Sequence, residues 1–148
     1  MINIRKATQQ DVPRIIELYE ELTGEKQKAH SDTTNQVFNE IISLPNQEFL
    51  VAEKDNFVAG TVFLQITPNL SHDARPWAVL ENLVVDGRYR RQGIGRLLVE
   101  YALTRAREAG CYKVQLLSSN TRHEAHQFYR ALGFDDAAIG FRVYFQKP

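Results

Sequence analysis

The chain predicts an α/β (α+β) domain with a mixed sheet, and three observations carry that prediction. Its elements read in the order β–α–α–β–β–β–α–β–α–β. A strand–helix–strand run lies at the centre, and hairpin strands precede it, which is the pattern of helices packed on a partly parallel sheet.

Each element has its own signal. "INIRKA" (2–7) alternates apolar and polar residues and reads as a strand. "TQQD" (8–11) has capping-box spacing, with Thr8 as N-cap and Asp11 three residues on. Ile15, Ile16, Leu18, Tyr19 and Leu22 then form a helical stripe that stops before Gly24. A second helix is expected around 33–44, where Val37, Phe38, Ile41 and Ile42 fall at helical spacing. "EFLVAE" (48–53), the turn "KDN" and "FVAGTVFLQI" (57–66) predict a hairpin. "TPNLSHDARP" (67–76) reads as a loop, and "WAVLENLVV" (77–85) as a strand buried on both faces. Ile94, Leu97, Leu98, Tyr101, Ala102, Ala106 and Ala109 mark a helix ended by Gly110. "YKVQLLS" (112–118) predicts a strand, "RHEAHQFYRAL" (122–132) a helix closed by Gly133, and "FRVYFQK" (141–147) a final strand.

The totals narrow the functions. A length of 148 residues fits a single domain with a real core, here 1–148. Eighteen basic residues balance eighteen acidic ones, which excludes nucleic-acid binding through bulk charge. The lone Cys111 excludes an intramolecular disulfide and a cysteine-rich zinc site. No apolar run reaches membrane-spanning length and the first residues lack a signal-peptide core, so the expectation is a cytoplasmic protein.

The most informative stretch is "VVDGRYRRQGIGRLL" (84–98). It matches neither a nucleotide P-loop nor a dinucleotide fingerprint, because Leu98 stands where the latter needs a small residue. What remains is a strand, a basic turn with R-x-x-G-x-G, and a helix. Its glycines let the backbone approach a ligand, and N–H groups at the helix start can converge on a pyrophosphate. A polar turn whose glycines only satisfy backbone geometry is the alternative.

From these residues the chain resembles the GNAT superfamily of N-acetyltransferases, over most of its length and most strongly from 79 to 134. The central [QR]-x-x-G-x-[GA] motif stands here as Arg90, Arg91, Gln92, Gly93, Ile94 and Gly95, with "ENLVVDGRYR" before it and "FYRALGF" (128–134) after it. The resemblance implies a mixed, strongly twisted central sheet flanked by about four helices. It implies acetyl-CoA as co-substrate, its pyrophosphate held by main-chain N–H groups of about Arg91 to Arg96. The strand before the turn, through Leu83, Val84 and Val85, is expected to bond the pantetheine arm, and Asn120 to touch it.

Acetyl transfer to an amine needs a base for the amine proton and an acid for the departing thiolate, each typically worth ~10²–10⁴ in rate. Glu81 interrupts an apolar strand, where a carboxylate is costly unless partnered or used. It is the candidate base, directly or through water. The alternative is a strand-end carboxylate paired with Arg75. Strict alternation puts Glu81, Leu83 and Val85 on one face and Asn82 and Val84 on the other. Tyr129 is the candidate acid by resemblance, since the family's tyrosine in this motif approaches the cofactor sulfur. The alternative is a core tyrosine with a satisfied hydroxyl.

The histidines of "HEAH" (123–126) lack metal-site spacing, so no metal is expected, and His126 reads as a solvent-facing helix residue. His72 and Arg75 are candidates to meet an anionic group on the acceptor. "GCYKV" (110–114) and "NLVV" resemble glucosamine-phosphate acetyltransferases, and "HEAHQFYRALGF" small-amine acetyltransferases, including those for aminoalkylphosphonates. The expected acceptor is therefore a small-molecule primary amine, such as an amino sugar or aminophosphonate. A peptide or protein acceptor and a non-catalytic acyl-CoA-binding module are the alternatives. The resemblance also implies a homodimer, through "FRVYFQK".

Overall fold

A computed structural model describes residues 1–146. They divide into two compact units, the first covering 1–116 and the second beginning at Leu117. The first unit holds strand β1 (Ile2–Lys6), helices α1 (Val12–Thr23) and α2 (Ser31–Ile42), and strands β2 (Gln47–Lys54) and β3 (Phe57–Thr67). A short helical turn α3 (Ser71–Ala74), strand β4 (Trp77–Val85), helix α4 (Ile94–Glu108) and strand β5 (Val114–Gln115) complete it. The second unit contains helix α5 (His123–Ala131). Among the described residues, five strands and five helices make a mixed α+β fold.

The five strands lie in sequence order in one sheet. β1 to β4 are antiparallel neighbours, and β5 joins β4 in parallel. The β2–β3 hairpin turns on Asp55 and Asn56, both left-handed (φ 53° and 62°), as a tight two-residue hairpin turn requires. The Thr8–Asp11 capping box forms, with Asp11 accepting from the Thr8 N–H at 2.7 Å. It opens a 3₁₀ turn (Gln9–Asp11) that leads into α1.

Helices cover both sides of this sheet. On one face, Ile15 and Leu18 of α1 pack with Val51, Val58 and Val84. On the other, Ile94 and Leu98 of α4 close over Gly60, whose missing side chain lets them approach. A Cβ at Gly60 would lie 3.0 Å from the Val84 carbonyl oxygen and 3.2 Å from Leu98. Arg105 of α4 bonds Glu48 of β2 at 2.7 Å, tying helix to sheet at the far end.

Three expectations change. The strand expected over 112–118 is confined to Val114–Gln115, because only Ala78 and Val79 of β4 offer it ladder partners. The strand expected over 141–147 does not form across 141–146, and Lys147 lies outside the described residues. The expected loop 67–76 contains α3, whose His72, Asp73 and Ala74 all have positive φ.

Candidate active site

The site grows from an irregularity in β4. Thr61 of β3 faces Val84 and Phe63 faces Glu81, so two β4 residues, Asn82 and Leu83, stand opposite the single Val62. This is a β-bulge, and Asn82 carries its left-handed backbone at φ 55°. Residues in register share a face, and Thr61 and Phe63 lie on the same side of β3. Glu81 and Val84 therefore both point to the α1 side, where strict alternation had separated them. Nor is β4 buried throughout: Ala78, Leu80 and Val84 are buried, but Glu81 and Asn82 are exposed.

Glu81 stands at the end of an aromatic row. Its register partner Phe63 lies 4.8 Å from Phe49, centroid to centroid, and Phe49 lies 5.2 Å from Phe38 of α2. The Glu81 main chain pairs with Phe63, but among the described residues its carboxylate forms no ion pair or hydrogen bond. The Arg75 partnership is not realised: Arg75 Nε donates to the His72 carbonyl at 3.0 Å, and its guanidinium lies over Tyr112. Trp77 to Glu81 alone spans about 13 Å of strand at ~3.3 Å per residue, which puts Arg75 out of reach. His72 stacks on Tyr112 at 4.0 Å. The structure thus brings His72 and Arg75 together, but away from Glu81.

Beyond the bulge, the strand feeds the glycine turn. The β4–β5 ladder ends at Val79–Gln115, so the β5-facing edge of β4 runs on from Leu80 without a ladder partner among the described residues. Leu83 and Val85 are half-buried there, whereas Val84 is core. Asp86 follows, buried, and caps a 3₁₀ turn (Gly87–Tyr89) by accepting the Arg88 N–H at 2.9 Å. Its carboxylate also accepts from the Arg88 guanidinium, at 3.0 and 2.8 Å, and from Arg14 of α1. The hydrogen bonds from Arg88 hold the Asp86 carboxyl well below the ordinary carboxylate range, against the opposing effect of burial.

Two turn arginines thus brace the turn. Arg88 serves Asp86, and Arg90 reaches Glu21 of α1 at 2.9 Å and the Val85 carbonyl at 3.1 Å. Gln92 accepts from Lys54, and Arg96 pairs with Glu100 one helical turn on. The backbone is left to face an anion. Arg91 (φ 60°) and Gly93 (φ 81°) take left-handed conformations that turn the chain into α4. The first-turn N–H groups of Ile94, Gly95 and Arg96 have no acceptor within the helix. A Cβ at Gly93 would meet nothing within 4 Å, so the approach to this helix start is open. The geometry suits a phosphate-bearing molecule.

In the second unit, Tyr129 is half-buried on α5, with Phe128 at 5.2 Å and Phe134 at 5.7 Å, both edge-on. Asn120 is exposed before the helix. His126 is not solvent-facing: it is half-buried, and its Nε2 meets the Ser119 carbonyl at 2.8 Å. Cys111 is half-buried, and burial pushes its thiol up. Among the described residues, no cluster of three or more His, Cys, Asp or Glu suits a metal ion.

One residue was not singled out by the sequence. The Tyr19 hydroxyl is enclosed beside Asn82 and has no protein hydrogen-bond partner of ordinary geometry. Burial pushes Tyr19 up to about 12; the neighbouring Asn82 side chain opposes it, and the Glu81 charge adds a smaller upward effect. Its signal was a phenol in an otherwise aliphatic helical stripe.

A profile of the acetyltransferase (GNAT) family matches residues 15–134. The chain belongs to this family. Over 77 residues it is 36% identical to a glucosamine 6-phosphate N-acetyltransferase of Trypanosoma brucei brucei, covering 52% of this chain and 50% of that protein. Over 97 residues it is 31% identical to an aminoalkylphosphonate N-acetyltransferase of Salmonella typhimurium, covering 66% and 62%. The chain thus spans about half the length of the curated relatives it matches. The crystal structure of glucosamine-6-phosphate N-acetyltransferase from Arabidopsis thaliana superposes with a TM-score of 0.88 at 28% identity, covering 99% of each chain. No helix among the described residues of this GNAT protein is long and apolar enough to cross a membrane.

Proposed function

We propose that the protein is an acetyl-CoA-dependent N-acetyltransferase that acylates the primary amine of a small molecule, such as an amino sugar or an aminophosphonate. The observation that carries this reading is Glu81. It is an exposed, unpaired carboxylate on a bulged strand that leads directly into an anion-binding helix start. The relatives that act on glucosamine 6-phosphate and aminoalkylphosphonates support the acceptor class.

In this mechanism the α4 N-terminus holds the acetyl-CoA pyrophosphate through the N–H groups of residues 91–96. Arg90, Arg91 and Gln92 shape that turn, with Gly93, Ile94, Gly95 and Arg96 opening the helix. The main chain of Leu83, Val84 and Val85 offers hydrogen bonds to the pantetheine arm, and Asn120 adds a polar contact. Glu81 accepts the proton of the ammonium, directly or through one water, which frees the nitrogen lone pair. The nitrogen attacks the thioester carbonyl carbon, a tetrahedral intermediate forms, and the C–S bond breaks. The thiolate takes the phenolic proton of Tyr129, and the second proton of the attacking nitrogen passes through solvent to restore the phenol. Glu81 gives its proton to solvent, and the neutral amide leaves with CoA. Arg75 and His72 meet the anionic group of an acceptor long enough to reach them.

The family match runs across the boundary between the two units, which supports one N-acetyltransferase domain over 1–148. The reading includes a homodimer. The exposed Phe141, Val143, Tyr144 and Phe145, in a segment without regular structure, support this second-copy contact. We place the protein in the cytoplasm, in keeping with its single cysteine.

Thiol release from acetyl-CoA across a panel of amino sugars and their phosphates, aminophosphonates, aminoglycosides, polyamines and peptides tests the reading. Turnover with a small amine, lowered ~10²-fold or more by Glu81→Gln, is expected. Turnover with peptides alone overturns it, and light scattering reads the oligomeric state.

A further inference from the structure

We propose that Tyr19 is a positioning residue for the acyl transfer: its hydroxyl donates a hydrogen bond that fixes the Glu81 carboxylate once the acceptor fills the site. This inference rests on Glu81 acting as the base.

Tyr19 lies on α1 with its ring against the core cluster of Ile15, Leu18, Val51, Val58 and Val84. Phenylalanine would supply that packing equally well. The hydroxyl is therefore surplus to the core, and it is expensive there, since an enclosed polar atom without a partner has given up its hydration for nothing. Where it sits gives the reason to keep it. It adjoins the side chain of Asn82, the residue whose left-handed backbone makes the bulge, and it lies within the field of the Glu81 charge.

Glu81 is the complementary half of the pair. It is an acceptor-only group with no hydrogen bond to any described residue, on the face of β4 that α1 covers. A free carboxylate on an exposed strand samples several rotamers, and a base must hold one of them while the amine approaches. A phenol that stays protonated at neutral pH is a donor of fixed polarity, and its ring is already locked by packing. A Glu81 rotamer turned toward the hydroxyl would satisfy both groups at once. The proton remains on Tyr19 throughout, so the phenol orients the base and takes no part in proton transfer.

A double-mutant cycle with Tyr19→Phe and Glu81→Gln tests this. Rates are read with glucosamine 6-phosphate, or with the panel amine that turns over fastest. Tyr19→Phe is expected to lower kcat about tenfold with the KM for acetyl-CoA unchanged, and to leave the melting temperature equal to or above that of the wild type. In the Glu81→Gln background, Tyr19→Phe should have no further effect on kcat, because the group it positions is gone. A Tyr19→Phe variant with wild-type kcat overturns the proposal. So does a kcat loss of equal size in both backgrounds, which places the effect elsewhere, or a lowered melting temperature, which makes the hydroxyl structural. If Glu81→Gln itself keeps the wild-type rate, the assignment of the base fails first and this inference falls with it.

Discussion

Replacing Asp86 by Asn removes one charge from the junction of strand, turn and helix, and its cost follows from the contacts. The Asp86 side chain is 6% exposed and faces two guanidinium groups, Arg14 at 19% exposure and Arg88 at 69%. Breaking a buried ion pair by removing one partner costs about 3–5 kcal/mol. Arg88 can turn to water, and Arg14 keeps Glu17, the Val58 carbonyl and the face of Phe57. The loss is therefore set below that range, at about 2–3 kcal/mol. For a chain of this size it corresponds to a fall of roughly 5–10 °C in melting temperature. The pH dependence adds a signature. The folded-state pKa of Asp86 is depressed, so its contribution is present above the unfolded carboxylate value of about 3.9 and is lost as pH falls toward the folded value. Urea unfolding at pH 7 should show the full gap between wild type and variant, and the gap should narrow below about pH 4. Because Asp86 caps the turn that precedes Gly93, the KM for acetyl-CoA should rise as well. A gap under ~0.5 kcal/mol at pH 7, the level of an ordinary surface substitution, would refute the reasoning.

The remaining predictions concern backbone and burial. Gly93→Ala meets no atom within 4 Å, so its penalty is that of a left-handed alanine alone, ~1–2 kcal/mol by urea unfolding; the KM for acetyl-CoA should rise with it. Gly60→Ala crowds the Val84 carbonyl and Leu98 at 3.0 and 3.2 Å, and overpacking should cost about 1–3 kcal/mol in the same assay. Burial raises Tyr19 to about 12 in the folded state, so the unfolded chain releases this proton first, and stability falls as pH rises from the unfolded value near 10 through 12. Tyr19→Phe should therefore flatten the alkaline limb of the stability curve, read from unfolding midpoints between pH 9 and 12.

Much of the fold was legible in the chain because local signals and tertiary structure agree there. The Thr8–Asp11 box, the stripes of α1 and α4 and the β2–β3 hairpin each needed only neighbouring residues. The glycine turn was equally readable, since Gly93 meets a backbone demand local to the motif. Pairing was less legible. "FRVYFQK" alternates as well as any strand, yet 141–146 form none, because alternation states which face is apolar and not whether an edge is there to receive it. The partners of the turn arginines were hidden for a related reason. Sequence counts charges without their partners, and Asp86 and Glu21, 65 residues apart, take up Arg88 and Arg90. Tyr19 was hidden inside a stripe that needs only its ring.

The bulge was the least legible feature and the one on which the site depends. In a flat β4, Glu81 and Val84 would lie on opposite faces. Either the carboxylate would then turn under α4, against Ile94 and Leu98, or Val84 would leave the cluster beneath α1. One extra residue avoids both, and lets a strand that must fill a core also carry a charge on the same face. Asn is a residue type that tolerates the left-handed conformation this requires. The same irregularity interrupts the ladder at Asn82 and Leu83, within the stretch of β4 that β5 has already left. The exposed carboxylate is thus the result of a single insertion and leaves its trace in the sequence as "EN" in an apolar run, whereas the unclaimed edge beside it follows from the early end of β5, which leaves none.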